Sequence, residues 1–203
     1  MRPIFATVAL AALVATPATA APRDVTGFTA VEARAGVDVE VTVGGGFSVD
    51  VSGPDAERIV TRVSDGKLIV EPVRGTSSRR RNAEIRVTMP RVDGLAASSG
   101  ADLIARGVNG GAISLSASSG ADLRVSGTCD TFSADASSGA DLHAAELRCQ
   151  NGDVSVSSGA DARVYATGAL NVDASSGGGV QALGGADIRN VELSSGGSFR
   201  RVN

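Results

Sequence analysis

The stretch Ser98-Ser99-Gly100-Ala101-Asp102 decides the fold, because the chain repeats it. SSG returns five more times, at intervals of 20, 19, 20, 18 and 19 residues, and the first four copies extend to SSGAD. The six copies begin at Ser98, Ser118, Ser137, Ser157, Ser175 and Ser194. A fixed period of this length is typical of repeat architectures, in which each repeat is one structural unit.

Apolar and polar residues alternate on both sides of each SSG. The positions five residues after the first serine are all apolar: Leu103, Leu123, Leu142, Ala162, Val180 and Phe199. Such alternation predicts β-strands with one buried face, and the glycine allows a tight corner between them. Because one repeat cannot bury its own apolar face, we predict an all-β, right-handed parallel β-solenoid of about six rungs over residues 93–203. An antiparallel repeat sheet is the alternative.

The two cysteines occupy the same place in adjacent repeats. Cys129 lies eight residues before Ser137, and Cys149 lies eight residues before Ser157. Stacked rungs would bring their Cα atoms to about 4.8 Å, which suits a disulfide. We therefore predict a Cys129–Cys149 bond; two reduced cysteines that pack as small apolar residues are the alternative.

Residues 21–92 lie outside the repeat and read as short strands. Val37, Val39, Val41 and Val43 alternate with polar residues, and Asp65-Gly66 predicts a hairpin turn. We expect this segment to cap the first rung and to cover its edge.

Residues 1–20 have the pattern of a secretory signal peptide. A short apolar run precedes Ala18-Thr19-Ala20, whose small residues suit a cleavage site after Ala20. The run is too short for a membrane span. The sequence thus predicts a protein exported to the periplasm, the cell surface or the medium, where disulfides form.

The composition excludes some functions. A net charge of −3 argues against a nucleic-acid partner. Aromatic residues make up only 3% of the chain, so few side chains can stack on sugars as they do in carbohydrate-active β-helix enzymes. The single histidine, His143, gives a Ser-His-Asp site little support. We therefore predict no catalytic residues, no enzyme activity and no cofactor, apart from the calcium considered next.

Four aspartates share one place in the repeat: Asp102, Asp122, Asp141 and Asp161. Stacked carboxylates repel, and Arg124, His143 and Arg163 follow two residues after three of them. The structural interpretation is a surface lattice of Asp and Arg in which the carboxylates also bond turn amides. The functional alternative is calcium held between adjacent carboxylates. The first serines of the SSG copies are expected to point outward, and the second ones inward.

Arg79-Arg80-Arg81 forms a basic run, and Arg200 and Arg201 add a basic end. The plain interpretation is a solvated loop. The alternative is contact with anionic glycans or lipid head groups.

The order of these segments resembles the bacterial family of auto-transporter adhesins with a head GIN domain, over about residues 24–200. The resemblance rests on VTGFTAVEARAGVDVEVTVGGGFSVDVSGPD, IVTRVSDGKLIVEP and IRVTMPRVDGLAASSGADL. Gly36-Val37-Asp38 stands where the family has its Gly-Ile-Asn triplet. The resemblance implies an all-β, exported, surface-associated protein of poorly defined function. Our own hypothesis is a non-enzymatic surface or periplasmic binding and adhesion module, with glycans or envelope surface components as its partners. A carbohydrate-active enzyme of β-helix type and a purely structural envelope protein are the alternatives.

Overall fold

Each SSG corner is a turn of two consecutive residues in the left-handed region. In the computed structural model, which describes residues 21–23, 25–75 and 82–202, the second serine of every copy has φ between 49° and 56°. The following glycine has φ between 67° and 82°. In the first corner the Ala101 amide donates to the Ser98 carbonyl, 3.3 Å away, which closes a four-residue turn.

The corners join two ladders of strands. The strands after each corner form the post-corner sheet: β1 (Ala21–Pro22), β3 (Asp38–Val43), β4 (Ser48–Ser52), β7 (Glu84–Met89), β12 (Asp161–Ala166), β14 (Gly179–Leu183), β16 (Ser198–Arg201) and the first halves of β9 (Asp102–Ser118), β10 (Asp122–Ser137) and β11 (Asp141–Val156). The strands before each corner form the pre-corner sheet: β2 (Ala30–Arg34), β5 (Ile59–Ser64), β6 (Lys67–Pro72), β8 (Gly94–Ser98), β13 (Ala169–Ala174), β15 (Asp187–Leu193) and the second halves of β9 to β11. A single short 3-10 helix, Ala56–Arg58, interrupts the strands of the described residues.

Like residues stack on like residues, as the repeat predicts. Leu103 pairs with Leu123, which pairs with Leu142, and the parallel register continues through Ala162 and Val180. The inward residues are almost all Leu, Val, Ile and Ala, and they form one continuous core. The predicted parallel β-solenoid is confirmed, and its six SSG corners delimit about five full turns.

The disulfide prediction is also confirmed. Cys129 and Cys149 pair in register on β10 and β11, with their Cα atoms 4.5 Å apart. They lie on a third, short side of the solenoid, where Gly127–Cys129 pairs with the backbone of β9 and of β11.

The N-terminal segment holds the predicted short strands, but most of them continue the stack. Ala35 and Gly36 both have positive φ, 57° and 71°, so β2 and β3 meet at a corner of the SSG type. Asp38 pairs with Asp102, and Val39 with Leu103. β6 and β7 add a further parallel layer on the outer side of β2 and β3.

The cap itself is antiparallel. β5 pairs antiparallel with β6, and β4 pairs antiparallel with β7 and β1. These strands reverse the chain direction and cover the apolar side chains at the N-terminal end of the core. The placement of a domain boundary near residue 92 stays a prediction.

Candidate functional site

The corner serines are arranged differently from the sequence-based expectation. The second serines, Ser99, Ser119, Ser138 and Ser158, are exposed, while the first ones are half-buried. The expectation that the second serines point inward is therefore wrong. The reason is the left-handed backbone of the turn, which places the Ser-Gly pair at the outer tip of the corner.

The aspartates form a column along the post-corner sheet. Asp102 pairs in register with Asp122, Asp122 with Asp141, and Asp141 with Asp161. Asp38, which sequence reasoning missed, begins the column. Burial raises the pKa of Asp102, and the negative charges of Asp122 and Asp38 raise it further. The column thus contains mutually repelling carboxylates.

A second column, two residues further along each strand, carries hydrogen-bond donors. We call it the donor ladder: Arg124, His143, Arg163, Gln181 and Arg200, each paired in register with the next. Backbone pairing holds successive members about 4.8 Å apart. The ladder therefore presents cationic groups in a straight line on the outer face of the post-corner sheet.

The expected Asp–Arg lattice forms at only one of its positions. Arg124 lies 3.5 Å from the carboxylate of Asp122. Arg163 instead donates from Nε to Oε1 of Gln181, 3.1 Å away, on the next coil. Within residues 21–23, 25–75 and 82–202, no acidic side chain forms an ion pair with Arg163 or Arg200. Two arginines of the ladder therefore have charges without an acidic partner in the described chain.

A groove of about 370 Å³ opens along the first part of the donor ladder. Its buried members are Ala105 and Val125, and Ile104 is half-buried. Its polar lining includes three arginines, one histidine and one glutamate: Arg106, Arg124, His143, Arg163 and Glu146. The groove thus combines a small apolar floor with a largely cationic rim.

A bulge in β11 shapes this groove. Ala144 pairs with Val164, but the next pair in that ladder is Arg148 with Tyr165, so residues 145–147 have no partner on β12. Extra residues of this kind bend a strand away from its neighbour. Arg148 then packs over the Tyr165 ring, 5.0 Å from its centroid. The sequence shows that the coils differ in length, but it does not show which residues form the bulge.

The pre-corner face carries an acidic depression near its C-terminal end. A shallow depression of about 230 Å³ is lined by Asp135, Asp153, Asp173 and Glu192 among small and amide side chains. Asn171 donates to the Asp153 carboxylate, 2.7 Å away. The depression is therefore acidic, whereas the groove beside the donor ladder is lined mainly by cationic side chains, so an anion is favoured at the groove rather than at the depression.

The calcium hypothesis gains no cluster of ligands from the structure. Among the described residues, no group of three or more histidine, cysteine, aspartate or glutamate side chains is arranged to hold a metal ion. A calcium ion on the aspartate column would have two neighbouring carboxylates and water as ligands. Calcium binding stays a prediction.

Two other predictions fall on undescribed residues. Arg79, Arg80 and Arg81, and the signal peptide of residues 1–20, lie outside the part of the chain that the structure describes. No helix in the described ranges has the length and apolar character that a membrane crossing requires.

Comparisons with known proteins agree with the solenoid. The family described as "Putative auto-transporter adhesin, head GIN domain" matches residues 27–186. The fold is similar to a crystal structure of a putative adhesin from Bacteroides fragilis, with a TM-score of 0.69 and 14% identity over 93% of this chain and 98% of that one.

A second similar structure is titled a putative lipid binding protein, from Parabacteroides distasonis, with a TM-score of 0.55 and 15% identity over 92% of this chain and 97% of that one. A third is a putative adhesin from Parabacteroides merdae, with a TM-score of 0.53 and 10% identity over 92% and 97%. At these identities the likeness concerns the fold alone. No curated protein matches the chain.

Proposed function

Because the chain belongs to the family of auto-transporter adhesins with a head GIN domain, we propose that it is an exported, non-enzymatic binding module of the bacterial cell envelope. The family is one of surface binding proteins. The export signal read from residues 1–20 and the disulfide both suit a compartment outside the cytoplasm. We propose further that its binding partner is a glycan or another envelope component.

The groove beside the donor ladder is the observation that carries the proposal. Its side chains are presented by paired strands, so their backbone positions are fixed before any ligand arrives. Preorganisation of this kind lowers the entropy cost of binding. The groove lies beside side chains of successive coils and is not an enclosed cavity, which suits a ligand that extends along the solenoid.

The charge pattern favours binding over catalysis at this place. Glu146 is the one carboxylate of the groove lining, and the other charged groups there are cationic. Glycoside hydrolysis ordinarily needs two carboxyl groups that face each other across the scissile bond. The groove therefore holds a ligand through static contacts with its donors.

The test uses the full chain on a glycan array and on intact bacterial cells. Saturable binding with no product supports the proposal. New reducing or unsaturated ends after incubation with a bound polysaccharide would replace it with the carbohydrate-active enzyme. Absence of both binding and turnover would replace it with a purely structural envelope protein. Fractionation of cells that express the full chain tests export separately, because retention in the cytoplasm would contradict it.

A further inference from the structure

We propose that the donor ladder binds a linear acidic polysaccharide that carries one carboxylate or sulfate on every second sugar. The inference rests on the proposed function, because it names the ligand class of the same face. The ladder alternates along the solenoid: Arg124, Arg163 and Arg200 are separated by His143 and Gln181. The alternation assigns strong anion contacts to every second coil.

The spacing sets the ligand. Coils of a β-solenoid are stacked at about 4.8 Å, so successive arginines of the ladder are about 9.6 Å apart. An extended polysaccharide advances by a similar distance for every two sugars. A charge on each second sugar therefore meets Arg124, Arg163 and Arg200 in turn, while the uncharged sugars between them meet His143 and Gln181.

Arginine suits this role because of its geometry. Its planar guanidinium group offers parallel N–H donors that match the oxygens of a carboxylate or a sulfate. The hydroxyl groups of an uncharged sugar suit the amide of Gln181, which both donates and accepts. The existing bond between Arg163 and Gln181 leaves the remaining donors of both side chains available to a ligand.

The aspartate column gives the ligand a direction. Asp122, Asp141 and Asp161 flank the first coils of the ladder, but Gly179 and Ser198 take the same register position in the last two. Repulsion between the aspartates and an anionic polysaccharide therefore decreases along the solenoid in the direction of Arg200. We expect the tightest contact at Arg200, whose strand has Ser198 in the aspartate position, with the groove around Arg124 receiving the far end of the polysaccharide.

A membrane surface fits this geometry less well. The arginines lie in one line on a strand face, and the groove beside them is concave. A flat bilayer would engage a broad patch of basic and apolar side chains instead. The putative lipid binding protein of similar fold makes lipid a necessary arm of the test.

The experiment measures binding of the full chain by calorimetry at low salt. The probes are hyaluronan, which has one carboxylate per disaccharide, polygalacturonate, which has one on every sugar, uncharged dextran, and vesicles of phosphatidylglycerol. We expect hyaluronan to bind more tightly than polygalacturonate, and dextran and the vesicles not to bind. We also expect the affinity for hyaluronan to fall as salt is raised.

The decisive variant replaces the three ladder arginines together, Arg124→Gln, Arg163→Gln and Arg200→Gln. We expect it to bind hyaluronan at least about tenfold more weakly, since three charge-assisted contacts are lost. The matched control is Arg58→Gln, Arg62→Gln and Arg91→Gln, which removes three exposed arginines from the N-terminal part of the chain. It changes the net charge equally and should leave binding unchanged.

The outcomes separate the two proposals. Equal loss in both triple variants would overturn the ladder as a site and leave only a net-charge effect. Tight binding of dextran that survives the ladder substitutions would overturn the inference and retain a glycan-binding function. Binding of vesicles alone would assign the ladder to lipid head groups. Binding of none of the four probes, together with binding to another glycan on the array, would overturn the inference only.

Discussion

The two ends of the solenoid are closed in different ways. At the N-terminal end, antiparallel strands β4 and β5 cover the last parallel layer, and the rings of Phe28 and Phe47 pack 4.9 Å apart beneath them. At the C-terminal end, β15 and β16 are the last strands of their ladders among the described residues. Val191 and Leu193 there are 38% and 49% exposed.

The two ends differ in what packs against their outermost coil, which has no further coil on one side. The N-terminal end uses a change of strand direction, which buries Phe28 and Ile59. The C-terminal end uses long side chains: Phe199 takes the inward leucine place, and Arg201 takes an inward alanine place and donates to the Ala186 carbonyl. Stability in a stacked repeat is a sum over neighbours, so the end with fewer contacts should open first.

We call the N-terminal end the covered end and the C-terminal end the open end. The largest expected effect comes from Phe28→Ala at the covered end. Phe28 is fully buried, so its removal leaves a cavity, and we expect a loss of about 3–5 kcal/mol in the free energy of unfolding. The half-buried Phe199 at the open end is the control, for which we expect roughly 1 kcal/mol. Urea unfolding measures both. Equal losses would refute the difference between the ends.

The disulfide gives the next largest effect. Cys129 and Cys149 are 20 residues apart, so Cys129→Ser with Cys149→Ser should cost about 3 kcal/mol through the entropy of the unfolded chain. Hydrogen exchange on the same variant sharpens the comparison. We expect β13 to β16 to exchange fastest in both proteins, and fast exchange to spread into β11 only when the bond is missing. Faster exchange at β4 and β5 than at β15 would contradict the idea that the C-terminal end opens first.

The repeat made the middle of the molecule predictable. The N-terminal parallel layers lack the SSG motif, so the sequence did not show that they belong to the same stack. The alternation around SSG predicted the inward leucines and the pairing of Cys129 with Cys149, because stacking forces like positions together. The corner at Ala35-Gly36 contains no serine. Between β3 and β8 the chain forms the antiparallel strands β4 and β5 and the outer parallel layer of β6 and β7. A period that is interrupted in sequence but continuous in space cannot be found by counting residues.

The candidate site shows a second limit. The positions of Arg124 and Arg163 in one column followed from the register, but their partners did not. Side-chain direction is chosen among several rotamers, and Arg163 reaches Gln181 on the next coil rather than Asp161 on its own. The acidic depression of the pre-corner face also went unnoticed. Asp135, Asp173 and Glu192 share one place in the repeat, but Ser155 interrupts their series.

A smaller effect tests the ionic contacts near the covered end. Glu32 is 14% exposed and lies 2.6 Å from Nε of Arg34 and 3.1 Å from Nζ of Lys67. Burial is the largest single influence on its pKa and opposes ionisation. The hydrogen bonds and charges of Arg34 and Lys67 together outweigh burial and hold the pKa of Glu32 below its ordinary value of 4.5.

The linkage follows from that direction. A lowered folded pKa means that Glu32 stabilises the protein above the ordinary value, and that this contribution is lost as the pH falls through the folded pKa. We expect Glu32→Gln to cost about 1–2 kcal/mol at pH 7, since a half-buried pair of cations loses its anion. The free energies of unfolding of the two proteins should differ at pH 7 and should approach each other at pH 3. An undiminished difference at pH 3 would contradict the ionic explanation.

The smallest expected effect has the opposite sign and lies where the covered end meets the repeats. Asp102 stands between Asp38 and Asp122, and burial together with these two charges raises its pKa. A raised pKa of an acid means that its ionisation opposes folding above the folded pKa and that the cost disappears as the pH falls below the ordinary value of 3.8. We therefore expect Asp102→Asn to raise the stability at pH 7 by roughly 0.5 kcal/mol, the scale of exposed charge interactions.

The control for this variant is Asp187→Asn at the open end, where the carboxylate pairs with Arg189 at 3.1 Å instead of facing other acids. That variant should be neutral or slightly less stable. Thermal unfolding of both variants at pH 7 and near pH 3 measures the contrast, and the gain of Asp102→Asn should vanish at the lower pH. Stabilisation by Asp187→Asn equal to that by Asp102→Asn would mean that net negative charge, rather than the stacked column, sets the cost. In that case the acidic column would be no obstacle to an anionic ligand at the first coils of the donor ladder.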